Sequence, residues 1–241
     1  MIHSERRGAV TLLTIDRQEK RNAVDAEACE QLLAGVAEAV DGGSRVVVLT
    51  GAGGHFCAGA DLSGVEGDHF RQALRALLDA MVDAPIPIVA AVEGAALGAG
   101  TQLAVACDLR VAAPDARFGI PAAKLGLMVD HWTVQRLALL AGHGPARLML
   151  LAAEELSGER AAALGFVQRV GGIDDALEWA DRIAALAPLT IAGHKLALNR
   201  LEPALDDHVV AEAVRRAWSS DDLAEGQAAF RERRPPSFQG R

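Results

Sequence analysis

Ala91-Val-Glu-Gly-Ala-Ala-Leu-Gly-Ala-Gly-Thr-Gln-Leu-Ala-Val-Ala-Cys-Asp108 reads as the end of a strand, a glycine break and an apolar helix in direct succession. The strand is the apolar run from Ile88 to Val92, and it breaks at Gly94. The helix restarts near Gly98, where Gly98, Ala99 and Gly100 leave the backbone open to a close approach. A helix start presents unpaired N–H groups and a partial positive charge, a setting for an anion or a developing oxyanion. Gln102 stands one turn further in, on a side where a catalytic acid or base would stand. A carboxamide cannot carry a proton back and forth, so an open backbone site sits beside a side chain without acid–base chemistry.

Similar strand-then-helix units flank this stretch. Ala9 to Asp16 alternates and predicts a strand, and Arg17 to Asn22 predicts a charged loop. Asp25 is the predicted N-cap of a helix to about Val40, which Gly42 and Gly43 stop. Arg45 to Thr50 is a short β-branched run, the pattern of a strand buried on both faces, and Gly51-Ala-Gly-Gly54 turns out of it. Ser63 to Asp68 is polar and glycine-containing and predicts a mobile loop. Phe70, Leu74, Leu77, Leu78 and Met81 then keep helical spacing until Pro85 and Pro87. Leu109 to Ala112 returns as a strand. Such alternation implies right-handed crossovers and a largely parallel sheet.

Beyond Phe118 the pattern turns helical, over Pro145 to Ala153, Gly158 to Leu164 and four further candidates between Asp174 and Arg231. The expectation is an α/β core over residues 1–187 and a C-terminal helical region over 188–241, ending in a basic, proline-containing extended tail.

The chain of 241 residues is 51% hydrophobic and only 4% aromatic, which describes a core rich in Ala, Leu and Val. A formal net charge of −8 argues against nucleic acid and against an anionic membrane surface as partners. No run approaches the roughly 20 apolar residues of a membrane helix. The N-terminus resembles no signal peptide, and Cys29, Cys57 and Cys107 form no CxxC pair, so reduced thiols in the cytoplasm are expected. The seven histidines keep no metal-ligand spacing, and no metal is expected.

Two backbone donors stand out. Ala60 follows Phe56-Cys-Ala-Gly59, and Ala99 opens the helix; each comes after a buried strand and a glycine-rich bend. Loops from neighbouring strands converge at the carboxyl edge of a parallel sheet. Paired N–H donors there polarise a carbonyl and stabilise an enolate more than the ground state. Taken by spacing alone, the same residues read more readily as tight turns, since glycine-rich turns are common. Cys57 needs a basic partner to act as a nucleophile, and a Cys/His hydrolase ranks below the carbonyl-binding reading.

An ordered set of motifs resembles the crotonase superfamily, which contains the enoyl-CoA hydratases and isomerases. The set is Asp16-Arg17 with Arg21-Asn22-Ala23, Val47-Val-Leu-Thr-Gly51, Phe56-Cys-Ala-Gly-Ala-Asp-Leu62 and Glu93-Gly-Ala-Ala-Leu-Gly-Ala-Gly100. Cys107-Asp-Leu-Arg110, Ala116-Arg-Phe-Gly119 and Leu164-Gly-Phe-Val167 continue it in order. The resemblance covers nearly the whole chain. It implies an α/β crotonase spiral of ββα units with a C-terminal helical trimerisation region, assembling as a homotrimer or homohexamer. It also implies a CoA thioester whose carbonyl lies between the N–H groups of Ala60 and Ala99, with the CoA arm passing Arg21, Ala23, Ala58, Asp61 and Leu62. Coenzyme A would be part of the ligand, and no separate cofactor is expected.

Departures from the family pattern shape the functional expectation. The two glutamates of a hydratase of this family map onto Gln102 and Ala122, and neither replacement transfers protons. Asp130 falls where other crotonase members place a catalytic carboxylate, but it reads more readily as the N-cap of a helix starting near His131. Trp132 either adds bulk and an N–H donor to the acyl pocket or packs in the core. The whole most resembles an actinobacterial subgroup without the hydratase glutamates. The expectation is a protein of fatty-acid metabolism that binds an acyl-CoA or enoyl-CoA thioester, with weak or absent hydratase activity. The alternatives are a hydratase or isomerase using Asp130, and an acyl-CoA carrier or sensor partnering lipid-synthesis enzymes.

Overall fold

The computed structural model describes residues 1–61, 68–201 and 208–239. The first half runs β1 (Ile2–Arg7), β2 (Val10–Ile15), α1 (Ala26–Asp41), β3 (Val46–Gly51), α2 (Asp68–Asp83), β4 (Ile88–Val92), β5 (Ala95–Leu97), α3 (Ala99–Ala106), β6 (Leu109–Ala112) and β7 (Arg117–Gly119). After it come α4 (His131–Ala141), α5 (His143–Leu151), β8 (Leu156–Ser157), α6 (Gly158–Ala163), β9 (Arg169–Val170), α7 (Ile173–Ala184), α8 (Pro188–Asn199), α9 (His208–Trp218) and α10 (Asp221–Glu232).

The main sheet has the order β1-β2-β3-β4-β6-β9, parallel except for the antiparallel β1–β2 pair. Alternation along each strand divides two cores. Leu13, Ile15, Val47, Leu49, Ile88 and Ala90 face one cluster with α1, α2 and α3. Val10, Leu12, Val46, Val48, Val89 and Ala91 face the other, which Ala176, Ala180 and Ile183 of α7 cover. Strands covered on both faces read as unbroken apolar runs, and β3 and β4 do so. A smaller sheet, β5-β7-β8, pairs Ala96 with Phe118 and Phe118 with Leu156.

Three of these elements depart from the sequence expectation. β1 carries exposed polar side chains without alternation, because an edge strand is held by its ladder to β2 rather than by burial. β5 and β7 are three residues each, too short for a periodic signal, and they exist because they pair with each other. Of the predicted loop 63–68, only Asp68 lies within the described residues, where it opens α2.

Several caps follow the sequence directly. The Asp25 carboxylate accepts from Ala28 N–H at 2.9 Å, and Asp130, Ser157 and Ser220 cap their helices in the same way. The C-terminal helices are fastened to the core by polar side chains. Lys195 of α8 is buried and donates to the carbonyls of Met81 and Ile86 and to Asp108, at 3.0, 3.0 and 2.8 Å. α10 lies against the 3-10 turn Pro121–Leu125 so closely that a Cβ at Gly226 would sit 2.4 Å from the Leu125 carbonyl oxygen. The tail folds back on α10: Arg234 pairs with Glu225, and the N–H groups of Ser237 and Gln239 donate to Glu225 and Asp222.

Candidate active site

The loops after β3 and β4 run side by side. Cys57 N–H donates to Ala95 carbonyl at 2.8 Å, and Leu97 N–H donates to Cys57 carbonyl at 3.0 Å. The approach requires glycine, since a Cβ on Gly100 would lie 2.1 Å from the Cys57 carbonyl oxygen. Thr101 locks the helix start. Its Oγ1 lies 2.6 Å from Ala96 carbonyl and 2.8 Å from Gly119 carbonyl, and it accepts from Gly119 N–H at 3.1 Å.

This packing aims two N–H groups into the same space. Val24 N–H donates to Gly59 carbonyl and Asp61 N–H donates to Val24 carbonyl, so the N–H of Ala60, between them, projects from the opposite side. Ala99 is the first residue of α3, ahead of the first intrahelical bond from Gln102 N–H to Gly98 carbonyl at 3.0 Å. Neither donor has an acceptor among the described residues. Both residues line one cavity of about 1460 Å³.

Arg21, Ala23, Ala58, Asp61, Gln102, Ala122 and Asp130 line the same cavity. Leu62 lies outside the described residues. Gln102 is 7% exposed, and its Nε2 donates to the buried Thr133 Oγ1 at 2.7 Å. Ala122, in the 3-10 turn, brings only a methyl group. Asp130 has both oxygens engaged: Oδ1 accepts from Thr133 N–H at 2.8 Å, and Oδ2 faces Arg75 Nη1 at 3.4 Å. Asp61 pairs with Lys20 at 2.5 Å and Arg17 at 3.3 Å. Asp68 pairs with Arg71, and Asp79 with Arg75. All four acidic residues lining the cavity are therefore held by cations.

Of the two places expected for Trp132, the acyl pocket and the core, the structure gives the core. Trp132 does not line the cavity but packs against the core, with the Arg75 guanidinium 4.2 Å above its ring. Helical phase explains this, since Thr133 is the residue of that turn that meets Gln102. The aromatic residues at the cavity are Phe70, Trp218 and Phe230. Trp218 is fixed by its Nε1–H to Met128 carbonyl at 2.8 Å and by Arg71 stacked at 4.5 Å. Only the helical periodicity of α9 and α10 hinted at these two C-terminal residues, and periodicity does not say that a helix end meets a site 100 residues away.

Seven basic residues line the cavity against four acidic ones, in a chain of net charge −8. Arg21, Lys124 and Arg231 among them have no acidic partner among the described residues. The wall elsewhere is apolar, with Leu74, Leu78, Leu97, Ile120 and Leu127. Cys57 is fully buried and does not line the cavity, and burial pushes its thiol up to about 12, which disfavours a thiolate nucleophile.

Known proteins resemble the chain in sequence and in fold. The model of the enoyl-CoA hydratase/isomerase family matches residues 5–241. A relative from Mycobacterium bovis, named probable enoyl-CoA hydratase echA6, is 47% identical over 96% of this chain and 96% of its own. The 2,3-dehydroadipyl-CoA hydratase of Escherichia coli is 36% identical over 98% of this chain and 97% of its own. Among solved structures, the carnitinyl-CoA hydratase from Mycobacterium avium superposes with a TM-score of 0.84 at 31% identity, covering 100% of this chain and 98% of that one. A methylmalonyl-CoA decarboxylase in complex with 2-nitronate-propionyl-CoA shares the fold at a TM-score of 0.92 and 23% identity, with 100% and 98% covered. The ordered motifs, the spiral of strand–helix units and the whole-length matches agree: this chain is a member of the enoyl-CoA hydratase/isomerase family of the crotonase superfamily.

Proposed function

We propose that the protein binds an acyl-CoA or enoyl-CoA thioester and hydrates it weakly or not at all. The observation that carries this reading is the pairing of two N–H donors without acceptors among the described residues, Ala60 and Ala99, with Gln102 and Ala122 at one cavity. The donors suit a thioester carbonyl. A carboxamide and a methyl group stand where proton transfer would be performed, and losing one general acid or base lowers a rate by about 10²–10⁴. Arg21, Lys124 and Arg231, without acidic partners among the described residues, suit the phosphates of CoA, and the apolar wall suits an acyl chain. The CoA-named relatives support the same ligand class, and a place in fatty-acid metabolism belongs to the proposal. A homotrimer or homohexamer belongs to the proposal, supported by the exposed Leu189, Leu196 and Leu198 of α8.

A structure with butyryl-CoA tests this reading. The thioester oxygen is expected within hydrogen-bond distance of Ala60 N and Ala99 N, with no carboxylate in reach of Cα or Cβ. A ligand carbonyl elsewhere in the protein contradicts it. A second reading, in which Asp130 moves a proton, is favoured by its position on the cavity wall with a 39% exposed side chain. Asp130→Asn then abolishes any turnover while thioester binding persists, and an unchanged rate removes Asp130 from the chemistry.

A further inference from the structure

We propose that Asn22 is the positioning residue of the Ala60 donor and sets how far a bound thioester carbonyl is polarised. The inference rests on the thioester reading above and deepens it. Asn22 is fully buried and does not line the cavity, so its influence passes through the backbone it holds. Its Nδ2 donates to the carbonyls of Ala52 and His55 at 2.7 and 2.5 Å, and its Oδ1 accepts from Arg17 N–H at 2.9 Å. Carbonyls only accept and a backbone N–H only donates, so these partners fix which way the amide points. The cradle is shaped to this side chain: a Cβ on Gly51 would lie 2.7 Å from Nδ2 and 2.1 Å from the His55 carbonyl oxygen. Asn22 itself has a φ of 59°, a region that asparagine tolerates better than most residues.

Asn22 thereby pins the segment from Arg21 to Val24 onto the turn that leaves β3, and that segment carries the donor loop. Ala58 N–H donates to Arg21 carbonyl at 3.0 Å, Val24 N–H to Gly59 carbonyl at 2.9 Å and Asp61 N–H to Val24 carbonyl at 2.8 Å. Ala60 lies between the last two bonds. The Ala99 donor is held separately, by the helix start and by Thr101, so the spacing of the two donors depends on where Asn22 sets the first. A misplacement of about 0.5 Å matters for donors that act by preorganisation. The fold does not hang on this amide. Arg17 donates to Ala23 carbonyl and pairs with Asp25 and Asp61, and Lys20 also pairs with Asp61, so the two loops stay joined without it.

Infrared difference spectra of the intact protein with butyryl-CoA, carbon-13 labelled at the thioester carbonyl, test the inference. Calorimetric titration with butyryl-CoA and with the thioether S-butyl-CoA, which lacks only the carbonyl, accompanies them. In the unaltered protein the carbonyl band is expected to move to lower wavenumber on binding, and butyryl-CoA to bind more tightly than the thioether. Asn22→Gly keeps the left-handed backbone and removes the amide. Asn22→Asp keeps the size and the Arg17 acceptor but turns two donated bonds into repulsion. Both are expected to lose at least about half of the band shift and about fivefold of the preference for the carbonyl ligand, the size of one net hydrogen bond. General loosening lowers both affinities together and leaves the preference in place. An undiminished band shift, an unchanged preference, or failure of both variants to fold overturns the positioning role and leaves the thioester reading standing. Absence of the band shift in the unaltered protein overturns both.

Discussion

On the proposed reading Gln102 and Ala122 decide the chemistry of the cavity, and each is a single substitution away from a carboxylate. The Gln102→Glu, Ala122→Glu double variant is expected to raise the hydration of crotonyl-CoA by about 10²-fold or more, followed by loss of the enoyl absorbance. No gain would place the missing chemistry elsewhere. Arg110 shows a different residue-scale logic. It is 1% exposed, and it donates to the carbonyls of Phe166, Ala104 and Cys107 at 2.6, 3.0 and 2.9 Å. Burial pulls its guanidinium down to about 10. Arg110→Met strands those carbonyls, and a loss of about 2–4 kcal/mol is expected in denaturant titration. A loss under about 0.5 kcal/mol, typical of surface changes, contradicts this anchoring role.

At the scale of elements, the C-terminal helices form one wall of the cavity and depend on a few contacts. Gly226→Val forces a side chain against the Leu125 carbonyl and displaces α10, which supplies Gln227, Phe230 and Arg231 to the cavity. Both Tm and thioester affinity are expected to fall; a fall in Tm alone detaches α10 from the site. Lys195→Met leaves Asp108 without its buried cation, an expected loss of about 3 kcal/mol. The strands and helices of the core were legible because burial on both faces leaves unbroken β-branched runs, and because Asp25, Ser157 and the glycines mark helix ends. β1, β5 and β7 were not, since pairing rather than pattern makes them strands. The two donor loops were legible through their glycines. That Trp132 packs on the core while Trp218 lines the cavity was not legible, because helical phase and the return of α9 to the cavity are tertiary facts.

Across the whole molecule, charge and burial set two further expectations. Cys29, Cys57 and Cys107 are buried and free, and burial raises each thiol from 9.0 to about 12. The folded state therefore holds protons that the unfolded chain releases once pH passes about 9. These groups contribute no pH dependence at neutrality, and stability falls as pH rises from about 9 towards 12, read in Tm against pH. A flat Tm across that window contradicts the burial. The measurement that bears most directly on the central claim combines binding and turnover in one sample: calorimetric titration with crotonyl-CoA, with hydration followed on the same protein. The account predicts saturable binding with hydration at least about 10²-fold slower than that of a relative carrying both glutamates. Hydration at the rate of such a relative, or no binding at all, would contradict it.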